Sequence, residues 1–343
     1  MSERGHKRIL ITGGCGFIGH HFVEHFLKNT DWEIIVLDKL SYAANGFDRL
    51  RDIECYPCNQ NRVKVFPVDL SVPLSVGLRQ EIGEVDYIVN LASESHVDNS
   101  IVSPVDFILN NVSLVINLLE WVRTIAIKKL IHFSTDEVYG TAPDGVDYRE
   151  GDRFNPGNPY SASKAAQECI CMAYANSYNL PIVITNTMNV VGERQHPEKY
   201  VPLIIKKVLS GEKIYIHSNA DKTKAGTRFY IHARNVAQAI HFILEQTNER
   251  LDKIDAAKGR FHIVGEREVD NLELAQTIAR ILSKELIYEM VDFHSSRPGH
   301  DLRYAMSGDK LKSAGFALPV SLDKSLEATV HWFLNNKKWL EAA

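Results

Sequence analysis

Cysteine is scarce in this chain, and its pattern excludes a disulfide-stapled fold. Five cysteines, an odd number, sit at positions 15, 55, 58, 169 and 171 of 343 residues. Cys55 and Cys58 form a CxxC, but no further ligands at zinc spacing accompany them, so no metal site is expected. Reduced thiols with no shared task point to the cytoplasm. Apolar runs of about 18 residues are also missing, so no membrane span is expected. The opening MSERGHKRILITGG carries basic residues without the apolar core of a signal peptide. Charge of one sign is lacking too. The 39 Lys and Arg are interspersed with 43 Asp and Glu, for a formal charge of −4, which argues against a nucleic-acid surface. Internal repeats and low-complexity segments are absent.

What is present is an alternation of buried-strand and helix patterns. RILIT (8–12), EIIVLD (33–38), VKVFPVD (63–69), YIVNLA (87–92), KLIHFST (129–135) and PIVITNT (181–187) read as apolar strands. Helical periodicity fills 20–29, 78–83, 107–123 and 159–179 between them. Such an order predicts a Rossmann-type α/β fold, a parallel sheet with helices on both faces. Beyond about 190 the order loosens. Helices are expected at 202–211, 235–246, 272–284 and 323–336, and strands at 213–217 and 260–265. The expected organisation is a dinucleotide-binding domain over 1–190, to which later strands return, and a smaller α/β substrate lobe over 191–343. Loops 42–62, 141–158 and 217–227 are long and polar, as rims of a site are.

TGGCGFIG (12–19) follows the first strand and opens a helix, with glycines at 13, 16 and 19. Glycine at these positions permits a tight turn and close approach of a pyrophosphate to the backbone, at the positive end of the helix. Asp38 closes the second strand, 19 residues after Gly19. A carboxylate there accepts from ribose hydroxyls and repels a 2′-phosphate, so the expected cofactor is NAD, although neighbouring Lys39 tempers the argument. Asp69 and Leu70 end the third strand, where an adenine edge would lie.

The densest chemistry lies in STDEVYG (134–140) and YSASK (160–164). Tyr160 and Lys164 are four residues apart and share a helix face. An ammonium beside a phenol favours phenolate, a usable base for a hydroxyl proton. Asp136 and Glu137 add an acid and a second base, provided their environments separate their pKa values. A simple alcohol dehydrogenase needs only the Tyr/Lys half.

With DKLSYAAN (38–45), NLASESHVDNSI (90–101), NPYSASKAA (158–166), PEKYVP (197–202) and RPGHDLRY (297–304) following in order, the chain resembles the nucleotide-sugar 4,6-dehydratases of the extended short-chain dehydrogenase group. The Thr-Asp-Glu run is the specific part; related epimerases generally lack the acidic pair. The resemblance implies a hydro-lyase with bound NAD acting on a nucleotide-diphosphate hexose such as dTDP-glucose or UDP-glucose. Tyr160 would take the C4 hydroxyl proton, Glu137 the C5 hydrogen, and Asp136 would protonate the departing C6 hydroxyl. Thr135 would steady the C4 oxygen. It also implies cofactor contacts from Gly13, Gly16, Phe17, Ile18, Gly19, Asp38, Lys39, Ser41, Asp69, Leu70, Leu91, Ala92, Ser93 and Asn110, with Tyr160 and Lys164. Substrate contacts would come from Ser95, Thr135, Asn186, Lys199, Arg228, Asn271, Arg297 and His300.

The chain departs from the family pattern at Asn110, at Leu114-Val115, at Glu193 and in RFYIHARN (228–235), where Phe229, Arg234 and Asn235 replace the usual acidic residues. These leave base and sugar open. The helix over 107–123 carries apolar Leu114, Ile116, Leu118, Leu119 and Val122 on more than one face. One face must cover the sheet and the other needs a partner, so a homodimer is expected.

Overall fold

The computed structural model describes residues 6–41, 44–246, 259–292 and 302–341. Strands β1 (Arg8–Thr12), β2 (Glu33–Asp38), β3 (Val63–Pro67), β4 (Tyr87–Asn90), β5 (Lys129–Thr135) and β6 (Ile182–Thr187) form where the apolar runs lie. Further on come β7 (Asn189–Val191), β8 (Ile214–Ser218), β9 (Thr227–His232), β10 (Arg260–Ile263), β11 (Glu268–Asp270) and β12 (Tyr288–Asp292). The main sheet has seven parallel strands in the order β10-β6-β5-β4-β1-β2-β3. Strand order reverses between β1 and β4, the crevice in which such sheets bind ligands at their carboxyl ends. β11, β9 and β7 make a three-stranded sheet, and β12 pairs in parallel with β8.

The helices are α1 (Phe17–Asn29), α2 (Asp48–Arg51), α3 (Val76–Ile82), α4 (Val97–Val102), α5 (Pro104–Val122), α6 (Pro159–Tyr178), α7 (Tyr200–Ser210) and α8 (Ala233–Glu245). After them run Asn271–Ile281, Asp309–Ser313, Leu322–Asn335 and Lys338–Glu341. On one face of the sheet, Phe22, Val23 and Phe26 of α1 meet Val236, Ile240 and Ile243 of α8. On the other, α5 and α6 bury Leu114, Leu118, Trp121 and Cys171. A separate core joins Ile204 and Ile205 of α7 to Ile216 of β8, Leu274, Ile278, Val330 and Phe333. Residues after 190 therefore serve both cores: α8 and β10 complete the first sheet, while α7 and the last long helix build the second lobe.

Two details differ from the sequence expectation. α5 is long and apolar enough, by length and composition, to cross a membrane, yet Leu114, Val115, Leu118, Leu119 and Val122 are buried against the sheet. Its exposed apolar residues are Val105, Leu109 and Ile116, beside Val102 of α4, so the outward face lies toward its start. Secondly, α4, β7, β9, β11 and β12 form without a local signal strong enough to announce them. β11 pairs Glu268 with Phe229, a contact that exists only once distant segments meet.

Candidate active site

The cofactor cradle is built at the end of β1. Gly13 has φ +69°, and a Cβ there would press on the Ala92 backbone at 3.1 Å. A Cβ on Gly19 would run into the Gly13 carbonyl, so α1 can start this close to β1 only with glycine. Gly16 is the N-cap of α1, with no side-chain cap and no acid in the first turn, which leaves the helix N–H groups and positive dipole end for an anion. Phe17 and Ile18 form that first turn. Thr12 Oγ1 accepts from the amides of Leu91 (3.1 Å) and Ala92 (3.0 Å), holding the end of β4 against the cradle. Ser93 follows, its hydroxyl on the Glu94 carbonyl.

Asp38 ends β2 with its carboxylate buried. Its oxygens accept from the amides of Cys15 at 2.9 Å and Leu40 at 2.8 Å. Burial raises its pKa, while those bonds and the buried Arg49 guanidinium pull it down. Lys39 pairs with Asp69 at 2.9 Å. The Leu70 carbonyl accepts from Asn117, the Ser41 carbonyl accepts from the Ala44 amide, and Asn110 bonds Asn111 on α5. Glycine cradle, uncapped helix start and buried Asp38 together fit a dinucleotide.

The acid–base set lies at the end of β5. Thr135 Oγ1 donates to Asp136 Oδ1 at 2.9 Å and accepts from the Glu137 amide at 3.3 Å, starting a 3-10 turn, Asp136–Tyr139. Asp136 is buried, and its Oδ2 has no hydrogen-bond partner among the described residues. Burial pushes its pKa up to about 6, against the pull of Thr135 and of Arg228. Glu137 is held differently: Asn158 Nδ2 donates to its Oε2 at 3.3 Å and the Tyr304 hydroxyl at 3.5 Å. Tyr160 enters from α6, whose N-cap Asn158 forms a capping box with Ser161.

The Tyr160–Lys164 pair departs from its expected behaviour. The Lys164 ammonium donates to the Phe133 carbonyl at 2.8 Å and to Gln167 at 2.7 Å, and burial pushes its pKa down to about 8. The Tyr160 phenol is raised, first by burial and then by the Glu137 and Asp136 charges, with a Thr135 hydrogen bond opposing. Helical spacing puts the two residues on one face, yet the phenol's pKa is raised and the ammonium bonds a β5 carbonyl and Gln167.

The remaining residues ring this set. Arg228 is buried, donates to the carbonyls of Thr227 (2.7 Å) and Leu302 (2.8 Å), and lies 4.5 Å over the Tyr304 ring. Lys199, the N-cap of α7, lies within reach of the Glu198, Glu137 and Asp98 charges; burial lowers its pKa. Asn271 accepts from the Tyr230 hydroxyl at 2.7 Å. Ser95 is exposed on the β4–α4 connection. Asn186 is fully buried; its Nδ2 donates to Thr135 O and Glu168, while its Oδ1 has no partner among the described residues. Arg297 and His300 lie outside the described residues. Sequence reading passed over Asn158, Tyr304 and the Glu168–Arg260 pair. Only the RPGHDLRY run pointed toward Tyr304, which lies 167 residues from Glu137 along the chain. Among the described residues no group of three or more His, Cys, Asp or Glu is placed to hold a metal.

A doubly wound parallel sheet with a glycine cradle at its switch point and Thr-Asp-Glu and Tyr side chains at its carboxyl edge defines a short-chain dehydrogenase-like class. Residues 9–255 match the NAD dependent epimerase/dehydratase family, and the chain belongs to it. It is similar to the dTDP-glucose 4,6-dehydratase of Escherichia coli, at 33% identity over 97% of this chain and 95% of that protein. The structure of DesIV, a dTDP-glucose 4,6-dehydratase from Streptomyces venezuelae solved with NAD bound, superposes with a TM-score of 0.84. It is 33% identical, covering 97% of this chain and 99% of that one. A UDP-glucose 4-epimerase from Thermus thermophilus, in complex with NAD, reaches 0.82 at 27% identity, covering 95% and 99%.

Proposed function

We propose that this chain is an NAD-dependent hydro-lyase that converts a nucleotide-diphosphate hexose, dTDP-glucose or UDP-glucose, to its 4-keto-6-deoxy sugar. The observation that carries the reading is Asp136. It is a buried carboxyl with its pKa pushed up to about 6 and an unpartnered oxygen, directly beside a differently held Glu137. Oxidation at C4 alone has no use for such an acid.

When bound, NAD supplies the hydride acceptor for C4 and the hydride donor for C6, so none is consumed. The Gly13-Gly16-Gly19 cradle and Asp38 would hold it, with the other cofactor residues inferred from the sequence. Tyr160 takes the C4 hydroxyl proton, and Thr135 donates to the C4 oxygen. The 4-ketone acidifies the C5 hydrogen, which Glu137 removes as its proton. Asp136 gives its proton to the C6 hydroxyl; the C6–O bond breaks, water leaves and a C5=C6 double bond forms. A proton returns to C5 at the end. Ser95, Asn186, Lys199, Arg228, Asn271, Arg297 and His300 would bind sugar, diphosphate and nucleotide. Burial and the Glu137 and Asp136 charges raise the Tyr160 pKa, so Tyr160 would serve as base only with positive charge beside it to favour the phenolate.

The same reading makes the chain a cytoplasmic homodimer. The exposed Val102, Val105 and Leu109, with Met172 of α6, form the surface for a second copy.

Incubation with a panel of nucleotide sugars tests the function. The expected result is a product lighter by one water, with no accumulation of NADH. A product that keeps its C6 oxygen would overturn it and favour 4-epimerisation.

A further inference from the structure

We propose that Glu168 is a positioning residue that locks the end of β5, and so aims Thr135, Asp136 and Glu137; the role in turnover rests on the dehydratase reading. Glu168 lies one helical turn after Lys164 on the same face of α6 and is fully buried. Its Oε1 accepts from the Ser134 hydroxyl at 2.5 Å and from Asn186 Nδ2 at 2.7 Å. Asn186 stands opposite Ser134 in the β5–β6 register, and the same Nδ2 donates to the Thr135 carbonyl at 3.0 Å. With Lys164 on the Phe133 carbonyl, the last three residues of β5 are each held from α6 or β6. One carboxylate oxygen organises two of those three contacts.

The second oxygen faces Arg260 of β10 at 2.9 Å. Arg260 also donates to the Glu150 carbonyl at 3.2 Å and lies 4.8 Å over the Phe154 ring. A buried ion pair adds little net stability over an apolar pair of the same shape, because both charges have lost their water. Geometry, then, is what this one supplies: it fixes Glu168 from β10, the strand beyond β6. Thr135 and Asp136 must meet a sugar within a few tenths of an ångström, and hydrogen bonds beneath the reacting groups set that tolerance.

The test compares two double variants. Arg260→Met with Glu168→Gln removes both charges and keeps an acceptor for Ser134 and Asn186. Arg260→Met with Glu168→Met removes the acceptor as well. Both should melt close to each other and retain bound NAD. The glutamine protein should keep kcat within about tenfold, and the methionine protein should lose a further ~10–100-fold, as misplacement near an ångström does. Amide exchange over residues 133–139 should quicken only in the methionine protein. Equal kcat and equal exchange in the two, or losses that simply follow melting temperature, would overturn the proposal. Ser134→Ala, which deletes one bond and leaves the ion pair, should show the same signature at smaller size even if the double variants fail to fold; wild-type exchange and kcat there would also overturn it. Lack of dehydrated product from the wild-type protein would sink the functional reading and leave the exchange test of the anchor standing.

Discussion

Asp38 and Asp136 are both buried carboxylates at the carboxyl edge of one sheet, and burial raises the pKa of both, but their donors offset it differently. Asp38 receives two backbone N–H groups and has the Arg49 guanidinium near it. Asp136 takes the Thr135 hydroxyl on one oxygen, has no partner for the other among the described residues, and rises to about 6. Burial acts on both; satisfaction separates them. More donors make it easier for a buried carboxylate to keep its charge, and fewer make it easier to keep its proton; the proposed roles of Asp38 in holding NAD and of Asp136 as the acid follow that difference.

The largest effect should come from removing the base that starts the reaction. Tyr160→Phe should lower kcat by about 10²–10⁴-fold, with no transient NADH absorbance in single-turnover mixing. Asp136→Asn should lower kcat by a similar order, about 10²–10⁴-fold, but let the first oxidation proceed. NADH absorbance should then appear with no water lost; elimination at the wild-type rate would remove Asp136 from the role of acid.

Asp136→Asn should also reverse the usual cost of mutation. A carboxyl whose folded pKa is about 6 against an ordinary 3.8 binds its proton more tightly when folded. Stability from that proton is present below the unfolded pKa and is lost as pH rises through about 6. At pH 7 the wild-type protein therefore carries a penalty on the order of 1–3 kcal/mol that asparagine lacks. The variant should melt higher at pH 7, with the gap closing below about pH 4. A constant gap across that range would show that the carboxyl does not carry the shift.

At the other carboxylate, Asp38→Asn retains shape but loses the charge, and weakened NAD retention of about 10–100-fold is expected with kcat at saturating NAD little changed. Equal losses at both positions would erase the contrast between a holding and a reacting carboxylate. The smallest catalytic effect belongs to the surface. Leu109→Asp, on the exposed side of α5, should shift a dimer to a monomer by light scattering at micromolar concentration, with the sheet and cradle intact.

Much of this was legible in the chain because it rests on local pattern. EIIVLD marks β2 to the residue, and KLIHFST marks β5, since a strand buried on both faces must be apolar along its length. The glycine run was readable because no other residue fits where α1 crosses so close to β1. β9 and β11 were not legible, being short and defined by pairing between distant residues. Lys164 shows the limit of helical spacing: i to i+4 places two side chains on one face, yet their neighbours choose the hydrogen bonds.

The sequence by itself determined which residue types stand at the strand ends, and thus that a dinucleotide cradle and a Thr-Asp-Glu-Tyr set exist. Those depend on short-range periodicity and on steric needs within a few residues. Tertiary structure alone decided which carboxyl is starved of donors, which lysine turns to a carbonyl, and that Glu168 and Arg260 pair beneath the site. A pKa follows from lost water and from charges brought together, and Tyr304, Arg228 and Asn158 reach Asp136 and Glu137 only through folding.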